Sequence, residues 1–275
     1  MSTAEKENLE RFVRELPAEL EALEYDVRAQ GATELLPLDR SYDSLDRLED
    51  FYTMVLDGRG RVGSEQVEPR LGRYVGATLI ERTGGKWDYA RTKEHFGKPC
   101  VTNLPDLKKH RFFPLGPILG FKRTRIPGDL RNAVEVYDVP YRRAQVADIL
   151  ASLDTRIAAL SDDIRDLTGE KPVLDYSVAS SAFLEAALLA SLSRELSRER
   201  WRKLELGSIL YLGTIVQHAL GGGAWTLCEA PNEFDFGQLH MHGWAPRDVV
   251  RRMGPETQGI IKRTLDVVIS SRRKA

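Results

Sequence analysis

The segment Tyr211-Leu212-Gly213-Thr214-Ile215, followed by Gly222-Gly223-Ala224-Trp225, decides how the second half of this chain folds. It predicts a helix that stops at glycines, which readily take the left-handed conformation of a helix C-terminus, and a strand that begins at the tryptophan. The same signals occur earlier and in the same order, as Tyr74-Val75-Gly76-Ala77-Thr78 and Gly84-Gly85-Lys86-Trp87. The recurrence of a whole series of signals at one period indicates a tandem repeat.

The repeat also extends toward the N-terminus from these helices. Leu38-Asp39-Arg40-Ser41 recurs as Leu174-Asp175-Tyr176-Ser177, and the spacing between the copies grows by one residue from the aspartates to the tyrosines and by one more to the tryptophans. Asp39 and Ser41 are N-cap candidates, because a short side-chain oxygen accepts an unpaired N–H at a helix start. We therefore expect a first repeat at 1–140 and a second repeat at 141–275.

Periodicity predicts that helices precede strands in each repeat. In the first repeat the predicted helices cover 4–15, 18–30, 41–56 and 65–82, and the predicted strands cover 86–91, 99–103 and 115–121. In the second repeat the predicted helices cover 144–167, 178–199, 203–219, 246–253 and 256–270, and the predicted strands cover 225–229 and 236–242. The predicted fold class is α+β: a tandem duplication of a domain in which helices precede a small antiparallel sheet.

Composition excludes several classes of protein. The chain has 275 residues, 42% of them hydrophobic, and its 40 basic side chains nearly balance 41 acidic ones, which excludes a largely disordered chain and a globally basic nucleic-acid binder. Two cysteines, Cys100 and Cys228, are too few for a disulfide framework. The N-terminus lacks a secretory signal, and the most apolar segment, Ser181–Leu192, is too short to span a bilayer. We expect a soluble, cytoplasmic protein without a membrane partner.

The repeated motifs resemble those of a loose group of uncharacterised bacterial domains, some of them immunity-like. The residues that carry the resemblance are Leu-Asp-x-Ser at 174–177, Tyr-Leu-Gly at 211–213 and Gly-Gly-x-Trp at 222–225, with weaker forms in the first repeat. The first repeat departs from the second at Arg40, where the second has a tyrosine. The resemblance implies a bacterial origin and a role without catalysis, and it brings no catalytic residues to this chain.

A histidine pair is the sharpest candidate for metal chemistry. His240 and His242 stand two residues apart in a predicted strand, so their side chains would share one face, as two ligands of one metal ion must. The candidates for a third ligand are His218, Cys228, Glu229 and Asp235. The alternative is a pair of partly exposed histidines on a sheet, because the first repeat has Gly116-Pro117-Ile118 in the comparable region.

Other polar and aromatic features favour structural roles. Trp87 and Trp225 begin equivalent strands, which is typical of aromatic core residues packed between a helix and a sheet.

The run of three glycines at 221–223 follows a helix instead of preceding one, so it is not a phosphate-binding loop, and no cofactor is predicted. Basic and aromatic residues stand together near 108–113, but the basic cluster at 194–203 alternates with acidic residues, which is typical of a solvated helix face. Nucleic acid is therefore a disfavoured partner.

The segment 112–121 is unusually apolar for a stretch rich in proline and glycine, so we expect it either to pack between the repeats or to present a hydrophobic surface to a partner. The predicted partner-binding residues are Phe112, Phe113, Phe121, Glu229, Glu233 and Asp235. We predict a non-enzymatic bacterial protein-binding protein, for which an immunity protein that blocks a cognate toxin is the specific hypothesis. The alternatives are a metal-dependent enzyme that uses His240 and His242, and a small-ligand sensor with a pocket between the repeats.

Overall fold

The computed structural model of the chain describes residues 3–59, 62–194, 196–231 and 233–273. The chain forms two compact units, Met1–Arg142 and Arg143–Ala275. The described residues are mostly helical, with one two-stranded antiparallel sheet in each unit, which confirms the α+β class. Within the described ranges, no helix has both the length and the apolar character that crossing a bilayer requires.

In the first unit three long helices precede a hairpin and two shorter helices. The elements are α1 (Thr3–Ala29), α2 (Tyr42–Leu56), α3 (Ser64–Thr83), β1 (Lys86–Tyr89), β2 (Pro99–Thr102), α4 (Leu115–Thr124) and α5 (Asp129–Glu135). Strands β1 and β2 are antiparallel, with Trp87 opposite Val101. Helix α6 spans Val139–Ala151, across the division of the chain into units.

The second unit shows the same order of elements. They are α7 (Leu153–Thr168), α8 (Ser181–Leu192), α9 (Arg198–Ala219), β3 (Trp225–Leu227), β4 (Leu239–Met241), α10 (Arg247–Arg251) and α11 (Ile260–Arg272). Strands β3 and β4 are antiparallel, with Trp225 opposite Met241. The predicted helix at 144–167 is thus divided at Ser152, and the observed strands are shorter than the predicted ones.

The predicted break before Pro17 is wrong, because α1 continues through this residue as one helix. A proline inside a helix removes one backbone hydrogen bond and clashes with the preceding turn. Side chains of α1 on both sides of Pro17 are buried in the same unit, with Phe12 before the proline and Leu23 and Val27 after it. Burial of these side chains along one helix face therefore outweighs the local penalty.

The predicted strand at 115–121 is also wrong, because this segment forms helix α4. Pro114 stands at the N-cap with a helical φ of −63°, and Ile118 and Phe121, three residues apart, are both buried. That spacing places both side chains on one side of a helix, whereas Leu115 and Leu119 are exposed on another. An apolar run rich in glycine is ambiguous in sequence between a short strand and a short helix.

Each tryptophan packs directly on a glycine of the preceding long helix. The ring of Trp87 lies against Gly76 in α3, and the ring of Trp225 lies against Gly213 in α9. A Cβ atom added to either glycine would come closer than 3.0 Å to the ring, a distance that real Cβ atoms essentially never show. The absence of a side chain at these two positions is therefore what lets the hairpin approach its helix.

A buried tyrosine ties the start of the second helix of each unit to the same long helix. The hydroxyl of Tyr74 accepts the backbone N–H of Arg40 at 2.8 Å and lies 2.6 Å from the hydroxyl of Ser44. In the second unit the hydroxyl of Tyr211 accepts the N–H of Tyr176 at 3.2 Å and lies 2.5 Å from that of Ser180. These bonds satisfy polar groups that would otherwise be buried without a partner.

The repeated Asp-x-Ser motif forms the turn in front of that helix. Ser41 is the N-cap of α2 and accepts the N–H of Ser44, while Asp39 accepts both the N–H and the hydroxyl of Ser41. In the second unit Ser177 accepts the N–H of Ser180, and Asp175 accepts the N–H of Ser177. Both aspartates therefore stabilise the turn that precedes the helix by accepting hydrogen bonds.

A carboxylate that the sequence analysis did not single out caps the last helix of each unit. Glu49 accepts the N–H groups of Gly128 and Leu130, at 2.6 and 3.1 Å, at the start of α5. Glu185 accepts the N–H of Gly259 at the start of α11. Gly128 and Gly259 both have positive φ, at 85° and 79°, so glycine is the residue that takes this turn without strain.

We expect Gly76→Ala to lower the free energy of unfolding of the first unit by about 2 kcal/mol or more, because the added methyl group overlaps the Trp87 ring. Gly120→Ala is the matched control, since Gly120 lies inside helix α4 with open space beside it. That substitution should raise the free energy of unfolding by about 0.5–1 kcal/mol through helix propensity. Urea unfolding followed by circular dichroism measures both; equal effects of the two variants would contradict the packing.

A second prediction concerns the buried Glu205, which pairs with Arg247 at 3.2 Å and with Arg251. Burial alone would raise the pKa of Glu205, but the two arginines hold it below the ordinary value of 4.5. A lowered pKa contributes stability above the pKa of the unfolded chain, and this is lost as the pH falls through the folded value. We expect Glu205→Gln to destabilise by about 3 kcal/mol near pH 7 and by less below about pH 4. Urea unfolding at both pH values checks this, and a pH-independent difference would contradict it.

Candidate functional site

The hairpin loop is the part of each unit that stands out from the shared framework. Ala90 donates its N–H to the carbonyl of Lys98 and accepts the N–H of Gly97, both at 2.9 Å. Cys228 makes the same two bonds, to the carbonyl of Gln238 at 2.9 Å and from the N–H of Gly237 at 2.8 Å. The two loops therefore close in the same way, and Ala90 and Cys228 occupy equivalent positions.

Each loop carries an exposed phenylalanine. Phe96 is 65% exposed in the first unit, and Phe234 is 85% exposed in the second. Burying a phenylalanine side chain fully is worth about 1.5–3 kcal/mol, and in the described residues nothing covers these two rings. The loops thus expose apolar side chains that the described residues leave largely uncovered.

The two loops carry opposite charge. The first contains Arg91, Lys93 and Lys98 beside one acidic residue, whereas the second contains the acidic residues Glu229, Glu233 and Asp235. The loops therefore present different surfaces on the same framework.

Glu229 is oriented by a bidentate contact with an arginine. Arg143 donates hydrogen bonds of 2.6 and 2.7 Å to the two carboxylate oxygens of Glu229. The hydrogen bond from Arg143 lowers the pKa of Glu229 below its ordinary value. Because both side chains are exposed, this pair orders the base of the loop more than it stabilises the unit.

Cys228, Asp235 and His240 come together beneath the second loop. The Nε2 atom of His240 lies 2.6 Å from Oδ2 of Asp235, and the thiol of Cys228 lies 3.7 Å from Oδ1 of the same carboxylate. One potential ligand atom from each residue falls within 4.8 Å of the others. Burial first, and then the nearby carboxylate of Asp235, raise the pKa of the Cys228 thiol. Both cysteines of the chain are free thiols.

The structure does not bring His242 to this group. Strand β4 ends at Met241, and His242 has a positive φ of 51°, so the alternation of side chains does not continue to it. Its Nε2 atom lies 2.7 Å from the carbonyl oxygen of Gly222, and its ring packs on Gly223. Metal binding by His240 and His242 together remains a prediction that the described geometry does not favour.

Of the four candidates for a third ligand, two lie beside His240 and two do not. Cys228 and Asp235 are the pair beside it, while His218 stacks on Tyr176 with 4.7 Å between ring centroids. Glu229 is engaged by Arg143.

The first-unit counterpart of strand β4 is β2, and not 116–118, which lies in helix α4. Cys100 stands there at the position of His240, opposite Asp88 in the register.

The predicted aromatic contact residues divide into buried and half-buried ones. Phe112 is 2% exposed and packs on Tyr137, and Phe121 is 3% exposed and packs on Tyr52. Phe113 is half-buried, with its ring centroid 4.4 Å from that of His95. Phe112 and Phe121 therefore offer no surface in this conformation, because their rings form part of the core of the first unit. The exposed apolar surface of this segment consists of Leu115 and Leu119 instead.

A cavity of about 340 Å³ opens in the first unit beside helix α1. Its lining residues are Leu16, Pro17, Leu20, Glu21, Glu24, Leu38, Arg40 and Tyr74. Several of its polar groups are already paired: Arg40 with Glu81 at 3.1 Å, Glu24 with Arg28 at 3.0 Å. The cavity thus combines an apolar wall with charged groups of which Arg40 and Glu24 already have partners within the first unit.

Comparison with family models, with curated proteins and with solved structures finds no significant match to this chain. Functional argument therefore comes from the described residues themselves.

Truncating one buried and one exposed phenylalanine of the first unit separates core from surface. We expect Phe112→Ala to lower the free energy of unfolding by about 3–5 kcal/mol, because a buried ring leaves a cavity. Phe96→Ala should change it by less than about 0.5 kcal/mol, because the ring is exposed. Urea unfolding of both variants checks this, and a large loss of stability in Phe96→Ala would show that its ring is covered in solution.

Proposed function

We propose that this chain is a cytoplasmic, non-enzymatic protein-binding protein that binds its partner through the hairpin loop of the second unit, and that it acts as an immunity protein against a toxin. The observation that carries the proposal is the exposure of Phe234 within an acidic loop. The bacterial origin implied by the resemblance of its motifs agrees with this role.

Phe234 has the properties of an interface anchor. It is the most exposed of the large hydrophobic residues in the described part of the chain, and Glu233 and Asp235 flank it directly. Aromatic residues that enter a pocket on the partner, surrounded by a polar rim, carry most of the binding energy in many interfaces. The loop is also held at its base by the hydrogen bonds of Cys228, so less ordering is needed on binding.

The charge of this loop indicates the chemistry of the partner. Glu229, Glu233 and Asp235 favour a basic surface with an apolar pocket at its centre. A toxin that acts on a nucleic acid needs basic residues to contact phosphates, so an acidic loop with a central aromatic ring would compete for that surface. This class of toxin fits the loop best.

The contacts of the repeated motifs support a role without catalysis. Tyr74 and Tyr211 hold helix starts, and Trp87 and Trp225 pack on glycines. The buried carboxylate of Glu205 is paired with arginines. These residues have partners that account for their presence in structural terms.

We also infer that the two units arose by duplication of one ancestral domain. The support is the recurrence of whole contacts: tyrosine to serine, tryptophan to glycine, and glutamate to the start of the last helix. After duplication, the two hairpin loops would have been free to acquire different charges and different partners.

The alternatives have less support from specific contacts. A metal-dependent enzyme that uses His240 and His242 conflicts with the hydrogen bond of His242 to Gly222. A small-ligand sensor is expected to hold its ligand between the repeats, whereas the cavity beside α1 lies within the first unit. Two polar groups of that cavity, Arg40 and Glu24, already have partners.

The experiment starts with capture of stoichiometric partners from the native host, and continues with the purified partner. We expect Phe234→Ser to weaken its binding at least tenfold, about 1.4 kcal/mol, and Glu233→Lys to slow association in a salt-dependent way. Val173→Ser is the control, because Val173 is another exposed apolar residue of the second unit outside the loop. Recovery of no stoichiometric partner, or a partner that binds Phe234→Ser as tightly as the wild type, would overturn the proposal.

A further inference from the structure

The register of the second hairpin places two different metal-ligating groups on one face. Thr226 lies opposite His240, and Leu227 lies opposite Leu239. Leu239 and Met241 are buried in the core, so His240 between them points to the other face. Cys228 follows Thr226 by two positions and therefore shares that face with His240.

The loop then brings a carboxylate over the same face. The N–H of Gln238 binds the carbonyl of Asp235, which turns the chain back toward the strands. The Asp235 carboxylate thereby reaches both Cys228 and His240, and one ligand atom of each residue lies within 4.8 Å of the others. Around a tetrahedral Zn²⁺, bonds of about 2.0–2.3 Å place ligand atoms roughly 3–4 Å apart, so small side-chain rotations suffice to surround an ion.

The Nε2 atom of His240 is buried and faces the Asp235 carboxylate, with 2.6 Å between Nε2 and Oδ2. No hydrogen bond to another group of the described residues holds this nitrogen. It can therefore bind a metal ion once a small side-chain rotation opens the contact to roughly 3.3 Å, the separation of two ligands of a tetrahedral Zn²⁺.

We infer that Cys228, Asp235 and His240 form a binding site for one Zn²⁺ ion, with water in the fourth position. Sulfur, oxygen and nitrogen donors together suit Zn²⁺ better than Ca²⁺ or Mg²⁺, which prefer oxygen ligands alone. On binding, the thiol of Cys228 gives its proton to solvent and coordinates as a thiolate, while His240 coordinates through the lone pair of Nε2. The ion ties the loop that carries Phe234 to strand β4, and the site exists whether or not a protein partner binds there.

The first unit provides an internal comparison. At the positions of Cys228 and His240 it has Ala90 and Cys100, so the thiol stands on the other strand and one ligand is missing. Among the described residues, the group in the second unit is the one set of three such side chains with ligand atoms this close.

The test uses the full-length protein, stripped of metal with a chelator and titrated with Co²⁺ as a spectroscopic substitute for Zn²⁺. We expect one equivalent to bind, with the visible bands of four-coordinate Co²⁺ and a thiolate-to-cobalt charge-transfer band, and Zn²⁺ to displace it. Cys228→Ala should abolish the charge-transfer band, and Asp235→Asn and His240→Gln should each weaken binding at least about 100-fold, because removing a direct ligand costs more than the roughly 10–100-fold lost with an outer-shell partner. Cys100→Ala, which removes the other thiol of the chain, should leave the band unchanged.

Circular dichroism of every variant checks that the fold persists. If Cys228→Ala fails to fold, the weaker Co²⁺ binding of Asp235→Asn tests the site instead. Absence of saturable Co²⁺ binding by the folded wild type would overturn the site. A charge-transfer band that survives Cys228→Ala, or disappears in folded Cys100→Ala, would also overturn it. If the protein proves to bind no toxin, the expected Co²⁺ results stay the same, because the titration involves no protein partner.

Discussion

The close approach of a tryptophan ring to a glycine on a long helix is the constraint on which each unit depends. Trp87 on Gly76 and Trp225 on Gly213 fix where the hairpin lies against its helix, because a side chain at either glycine would displace the ring. The hairpin then presents one strand face to the core and the other to the loop. The positions of Phe96, Phe234 and the group around His240 all follow from this contact.

Much of the framework could be predicted from the sequence because its signals are local or recur. The glycine stops, the Asp-x-Ser turn and the tryptophans each have a direct physical meaning at a helix end or a strand start. The break at Pro17 is predicted wrongly because burial of the surrounding residues outweighs the penalty of a proline inside a helix. The segment 115–121 is predicted wrongly because its apolar run fits a short strand and a short helix equally well in sequence, and only burial in the tertiary fold decides between them. The caps made by Glu49 and Glu185 could also have been found in the sequence, because the two glutamates stand at matching positions of the two repeats.

The candidate metal group shows why a site is harder to predict than a fold. Cys228 and Asp235 are among the predicted candidates for ligands beside His240, but alternation within one strand favours His242. Of the residues that do lie beside His240, Asp235 comes from the loop and Cys228 from just after β3, and placing them requires the register of β3 and β4. A loop of this length does not fix that register in sequence, and the end of β4 at Met241 could not be located from periodicity alone.

The way both hairpin loops are closed has a consequence for how this architecture can change. The same pair of backbone hydrogen bonds seals a loop that ends at Lys98 in one unit and a longer one that ends at Gln238 in the other. Since those bonds use only main-chain atoms, they place no demand on the side chains of the loop they close. The loop can therefore differ in length and charge between the units while the tryptophan keeps the same contact with its glycine.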